Sequence, residues 1–126
     1  MAIKTVTDIV WEGTTPKLMA RVVGAAATNI TQASVDSISK IVVLNRDGST
    51  VVAADDITVS EVVYNTLQTD ATWTKDETGY NFAHALAITD IPDGDDVYVI
   101  QYQLTDTASK VSVVEFVLTT KENYQS

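Results

Sequence analysis

Few residues of this chain have side chains suited to catalysis, and the first to consider is its single histidine, His84. An imidazole can act as a general base or as a metal ligand near neutral pH. His84 alternates with Phe82 and Leu86, which is the spacing of a β-strand. A general base also needs an orienting partner and a nucleophile, and no motif supplies either. The pattern therefore favours a packed or half-exposed strand histidine over a catalytic one.

Clustered aspartates could bind calcium through their oxygen atoms. Asp55 and Asp56 are adjacent, and Asp93, Asp95 and Asp96 lie in one predicted turn. The spacing D-x-[DN]-x-[DN]-G of a calcium loop is absent, and turn aspartates commonly accept bonds from nearby backbone N–H groups. Calcium binding at these two turns stays open. We otherwise expect no metal site, no cofactor and no catalytic residue, because no nucleophile elbow or phosphate-binding glycine motif occurs.

Four aromatic residues could stack on sugar rings, as in a carbohydrate-binding module. They are Trp11, Tyr64, Trp73 and Tyr80. Large aromatic side chains more often anchor a core or a loop. We therefore expect Trp73 to hold the polar stretch 69–79 as an ordered loop, and we keep carbohydrate binding as the alternative.

Length and charge exclude several classes of protein. The 126 residues suit one domain spanning 1–126, and the net charge of −9 disfavours partners with phosphate backbones or anionic lipid surfaces. We expect neither nucleic acid nor membrane as a partner. The chain has no cysteine, so disulfides and thiolate chemistry are excluded. No apolar run approaches the length of a membrane span, and Met1–Val6 begins no signal peptide.

The spacing of apolar residues predicts an all-β protein. Valine and threonine are frequent, and apolar residues recur every second position in several segments separated by turn residues. Strands are predicted at 17–23, 38–44, 50–53, 57–59, 82–88, 97–104 and 111–119, with turns at 45–49, 55–56, 92–94 and 106–110. Residues 60–67 could form one short helix, and the alternative is a strand at 57–63. Residues 1–10 are an N-terminal arm or a first strand, and 121–126 are a short tail.

These strands favour an antiparallel β-sandwich of about seven strands. Period-two spacing predicts which side chains form its core. The predicted core comprises Leu18, Val22, Ile41, Val43, Phe82, Leu86, Tyr98, Ile100, Tyr102, Phe116 and Leu118.

The stretch from Asn65 to His84, NTLQTDATWTKDETGYNFAH, resembles small Ig-like structural proteins of tailed bacteriophages. Segments 11–23, 29–32, 37–44, 98–104 and 113–119 follow the same layout, which is also similar to the N-terminal domain of phage baseplate upper proteins. The resemblance implies an Ig-like fold and a structural protein of the virion, assembled in the host cytoplasm. It is most similar to a capsid decoration (cement) protein or a head–tail adaptor, without catalytic residues or cofactor.

A protein of this kind would act by binding other virion proteins, meaning capsid or tail and neck subunits, and could also form a homo-oligomer. Open strand edges and terminal arms are natural docking elements. We therefore expect the segment 2–10, apolar at Ile3, Val6 and Ile9, to contact a partner. Trp11 and Trp73 are the aromatic candidates for the same role.

Overall fold

In the computed structural model, the described residues form eight strands in two β-sheets. The structure describes residues 2–11, 14–24, 28–71, 73, 76–92 and 94–122, and for residues 2, 3 and 88 it describes the backbone alone. The strands are β1 (Ala2–Trp11), β2 (Lys17–Ala20), β3 (Val35–Leu44), β4 (Thr50–Ile57), β5 (Val63–Gln68), β6 (Tyr80–Ala85), β7 (Val97–Asp106) and β8 (Val111–Lys121). One helical turn, α1 (Val59–Val62), precedes β5, and a 3₁₀ turn (Ile88–Asp90) follows β6.

The strands build a five-stranded sheet in the order β1-β8-β7-β3-β4 and a three-stranded sheet in the order β2-β6-β5. One hydrophobic core joins the two sheets. The Phe82 ring of the small sheet lies 4.9 Å from the Tyr102 ring and 6.2 Å from the Phe116 ring of the large sheet. The predicted all-β sandwich with at most one short helix is therefore confirmed.

One strand pair departs from the predicted antiparallel architecture. β1 pairs in parallel with β8, in continuous register from Ala2 opposite Ser112 to Trp11 opposite Lys121. A parallel pair cannot be closed by a hairpin and needs a long crossover. Here nearly the whole chain serves as that crossover, so no local signal indicated the pairing. Residues 2–11 are thus a first strand rather than a free arm.

The predicted core is confirmed except on β3. Its inner face carries Ile38, Lys40 and Val42, whereas Ile41 and Val43 point to the other side and are only partly buried. Apolar residues occupy both faces of β3, so period-two spacing could not tell which face is buried. The other predicted core residues are buried: Leu18, Val22, Phe82, Leu86, Tyr98, Ile100, Tyr102, Phe116 and Leu118.

Two further local predictions were wrong. Asp55 and Asp56 do not form a turn, because β4 runs through them and pairs them with Lys40 and Ser39 of β3. β4 is an edge strand, and charged side chains are common there because they discourage pairing with other chains. The segment 60–67 is mostly strand, since α1 ends at Val62. Residues 123–126 of the predicted tail, and Asp93 of the predicted turn, lie outside the described residues.

Candidate functional site

The edge strand β1 presents two large apolar side chains to solvent. The exposed fraction is 61% for Ile9 and 54% for Trp11. Successive side chains of a strand point to opposite faces. Val6 and Val10 accordingly turn inward and pack against the core. Of the candidate residues on this segment, Ile9 and Trp11 are therefore free to contact a partner, Val6 is mainly structural, and the Ile3 side chain is outside the described residues.

Trp11 lines an open groove of about 430 Å³ at the end of the large sheet. Its other lining residues are Asp95, Thr119, Thr120, Lys121 and Glu122. An exposed indole beside polar groups provides an apolar surface together with hydrogen-bonding groups. This groove can therefore accept an apolar side chain or a flat ring from a partner.

Trp73 is buried within its loop, with 9% of its surface exposed. Its indole Nε1 donates a hydrogen bond to Oδ1 of Asp76 at 3.0 Å, and its ring lies 5.5 Å from the Tyr80 ring. The Tyr80 hydroxyl in turn donates to Oδ2 of Asp70 at 2.6 Å, and Tyr64 packs edge-on against Tyr80. Trp73 thus anchors the loop, and most of its surface is already used inside the protein.

Val6 and Trp73 are nevertheless brought together in one groove. The groove, of about 270 Å³, lies between residues 4–7 of β1 and residues 19–21, Trp73 and Asp76. Ile9 and Trp11 lie further along β1, on the opposite face of the strand, so the five candidate residues do not form one surface.

Asp76 organises the loop around Trp73. Its Oδ1 accepts bonds from the backbone N–H of Thr78 and Gly79, and its Oδ2 lies 2.8 Å from the Arg21 guanidinium. The Gly79 N–H, the Trp73 indole and Arg21 hold the pKa of this carboxyl far below its usual range. A carboxylate that stays ionised cannot serve as a general acid, and the bonds that Asp76 accepts from Trp73, Thr78 and Gly79 stabilise the loop.

His84 belongs to a polar cluster between the sheets. Its Nδ1 lies 2.7 Å from the hydroxyl oxygen of Tyr102, while Lys40 Nζ lies 3.1 Å from both carboxylate oxygens of Asp90. Burial, and then the charge of Lys40, lower the pKa of His84, and burial raises the pKa of Tyr102. The contact of His84 with Tyr102 joins β6 to β7, and that of Lys40 with Asp90 joins β3 to the 3₁₀ turn after β6. Among the described neighbours, neither contact brings a serine, threonine or cysteine nucleophile to the histidine.

Lys40 and Asp90 were missed by the sequence interpretation, although a signal existed. Lys40 stands in line with Ile38 and Val42 on an otherwise apolar face. A lysine in that position must either break the strand pattern or find a buried anion. The structure shows the second solution.

Within the described residues, no group of three or more histidine, cysteine, aspartate or glutamate side chains could hold a metal ion. Asp93, one of the predicted calcium candidates, lies outside that set. In the same part of the chain no helix is long and apolar enough to cross a membrane.

Comparison with known protein families finds no family that matches this sequence, and comparison with curated proteins finds none that is significantly similar.

Proposed function

We propose that the protein is a non-enzymatic structural component of a tailed-phage particle, most similar in role to a capsid decoration protein or a head–tail adaptor. It would assemble in the host cytoplasm and bind a repeated surface of other virion proteins. The resemblance of residues 65–84 supports this class of protein. The main support for a docking site on β1 is that Ile9 and Trp11 are exposed on this edge strand.

The position of β1 suits docking by strand addition. β1 ends the five-stranded sheet, and among the described strands only β8 pairs with it. Its outer edge therefore offers backbone N–H and C=O groups to an added strand, which is a common mode of peptide recognition. Exposed aromatic residues are frequent anchors of such interfaces, and Trp11 stands at the end of this edge.

The net charge of −9 indicates which partner surfaces are compatible. Long-range repulsion disfavours strongly acidic surfaces, whereas basic or neutral protein surfaces remain accessible. A lattice of identical subunits offers many copies of one such surface. One modest contact repeated over a lattice can hold a layer of small domains by avidity.

The test uses purified particles of the phage that encodes this chain. The double variant Ile9→Thr/Trp11→Thr keeps β-forming residues at both positions while removing the apolar surface. We expect its retention on particles to fall at least about tenfold in co-sedimentation, because two anchor side chains are lost. The matched control is Val23→Thr, an apolar residue with 45% exposure elsewhere on the protein.

Two outcomes would contradict the proposal. Equal retention of the double variant and the parent would remove the β1 edge as docking site. Absence of the protein from purified particles, measured by mass spectrometry, would contradict the virion role itself.

The groove beside Trp11 supports one alternative, a carbohydrate-binding adhesion module on a phage or bacterial surface. An exposed indole next to the polar residues Asp95, Thr119 and Glu122 is a suitable arrangement for stacking on a sugar ring. Tyr64, Trp73 and Tyr80 pack against one another and do not extend this platform. Saturable binding on a glycan array that is lost in Trp11→Thr, without affinity for particles, would favour this function.

A further inference from the structure

The face of the five-stranded sheet that points away from the core is unusually apolar. The register places Thr7, Val117, Val99 and Val43 side by side across β1, β8, β7 and β3. Neighbouring positions of the same face add Ile41, Val97, Val113 and Ile9. We call the following set the outer face: Thr5, Thr7, Ile9, Trp11, Ser37, Ser39, Ile41, Val43, Thr50, Asp56, Val97, Val99, Gln101, Gln103, Thr105, Val111, Val113, Glu115, Val117, Thr119 and Lys121.

The apolar residues of the outer face are not part of the core. Alternation along β7 and β8 buries Tyr98, Ile100, Phe116 and Leu118 on the inner face, so the valines between them point outward. Antiparallel sheets with one wet face normally carry polar residues there. Contiguous exposed apolar patches of several hundred Å² usually mark an interaction site. The outer face therefore has the composition of an interface.

Charge distinguishes this face from the rest of the protein. The chain has a net charge of −9, whereas the described charged side chains of the outer face are Asp56, Glu115 and Lys121, which together carry a charge of −1. Most exposed acids lie elsewhere, for example Asp47 in the β3–β4 turn and Asp55 on β4, which pairs with Lys40 of the inner face. A basic partner would be attracted to those regions rather than to the outer face. Two copies of the chain, by contrast, repel least when these nearly neutral faces meet.

The dimensions of the face also suit a dimer. Five strands spaced about 4.8 Å apart and about ten residues long cover roughly 700 Å². Stable interfaces bury about 800 Å² on each partner, so the whole face is close to the size that a dimer needs. An apolar, nearly neutral face can pack on itself about a two-fold axis, since each residue then meets the same surface on the other copy.

We propose that the occupant of the outer face is a second copy of this chain, packed sheet against sheet in a symmetric dimer. The proposal is independent of the virion role, because it concerns the purified chain alone. The outer face includes Ile9 and Trp11 of the docking site above, but the residues that test the dimer, Val43 and Val99, lie on β3 and β7, away from the β1 edge.

The test is the oligomeric state of the purified chain in sedimentation velocity over a wide concentration range. We expect the parent to reach twice the 13.6 kDa of one chain, and to dimerise more tightly as salt screens the repulsion between copies. Val99→Glu and Val43→Glu should remain monomeric, because each places two unpaired charges in the interface. Val23→Glu makes the same change at an apolar residue outside the face and should dimerise like the parent.

A second variant distinguishes loss of the dimer interface from loss of the fold. Val43→Thr/Val99→Thr keeps the shape and β-propensity of both residues, and its melting should confirm that the sandwich is intact. Its dimer dissociation constant should rise at least about tenfold, because four buried apolar groups become polar in the dimer. A parent that stays monomeric at high micromolar concentration would overturn the proposal. A dimer that is equally tight in the parent and both Glu variants would assign the contact to another surface and would overturn it as well.

Discussion

Two glycines with positive φ angles differ in what surrounds them. Gly48, at φ +71°, lies in the β3–β4 hairpin with open space around it, whereas a Cβ on Gly79, at φ +100°, would collide with the carbonyl of Gln68. We expect Gly48→Ala to lower the free energy of unfolding by about 1 kcal/mol through backbone strain alone. Gly79→Ala should lower it by clearly more, measured by urea denaturation. Equal losses of unfolding free energy in the two variants would mean that the chain around Gly79 can move to accept a Cβ without further loss of stability.

The single histidine should make stability depend on pH in a defined window. Burial lowers the pKa of His84 below its ordinary 6.5, so the unfolded chain takes up a proton first as the pH falls. The contribution of His84 is thus complete above the unfolded pKa and is lost as the pH falls from 6.5 towards the folded pKa. We expect urea midpoints to drop between pH 7.5 and 5.5 for the parent and to change less for His84→Gln. Parallel profiles would show that the folded pKa of His84 is not lowered.

At the scale of elements, the loop between β5 and β6 depends on one aromatic anchor. Truncation of a buried aromatic typically lowers stability by about 3–5 kcal/mol. We expect Trp73→Ala to approach that range, because the change removes the packing on Tyr80 and the bond to Asp76. Trp11→Ala is the matched control, since Trp11 is 54% exposed, and it should change the thermal midpoint only slightly. Similar shifts in the two variants would contradict an anchoring role for Trp73.

The strand β1 combines a structural role with the proposed docking role. Removal of residues 2–10 would expose the core behind Val6 and Val10 and leave β8 as a bare edge. A truncated chain would therefore lose stability and partner binding together. Substitution of the outward-facing Ile9 and Trp11 separates the two effects, because those side chains contribute little to the core.

At the scale of the whole molecule, the two sheets are joined by an ion pair as well as by the core. Lys40 on β3 and Asp90 in the 3₁₀ turn after β6 are 8% and 4% exposed, and Asp90 also accepts the backbone N–H of Ala87. Loss of one partner leaves a buried charge unpaired, which typically lowers stability by about 3–5 kcal/mol. We expect Lys40→Met to approach that loss.

The double variant Lys40→Met/Asp90→Asn provides the control for this prediction. It removes both charges and keeps an oxygen acceptor for Ala87, so its unfolding free energy should lie above that of Lys40→Met alone. Strictly additive losses in the double-mutant cycle would show that the two side chains do not interact.

The sequence by itself determined the features that depend on neighbouring residues. Alternation identified the buried faces of β7 and β8, because the large aromatic and aliphatic side chains of each strand fall on one face. Asp47-Gly48 indicated the hairpin, since glycine adopts positive φ without strain. The size of the Trp73 indole indicated a buried anchor, and Trp73 is 9% exposed, whereas residues 72, 74 and 75 of the predicted ordered loop lie outside the described residues. These signals are local, and tertiary contacts did not override them.

The tertiary structure decided the features that depend on distant segments. The parallel partner of β1, the buried face of β3 and the burial of Lys40 against Asp90 all follow from pairings between residues far apart in sequence. Apolar residues on both faces of a strand make either orientation acceptable locally, and only the packing of the sheets selects one. Sheet packing also turned Val6 inward and left Ile9 and Trp11 exposed, and strand pairing placed Val43 beside Val99. Whether a side chain is exposed depends on how all the strands pack together, so no single strand determines it.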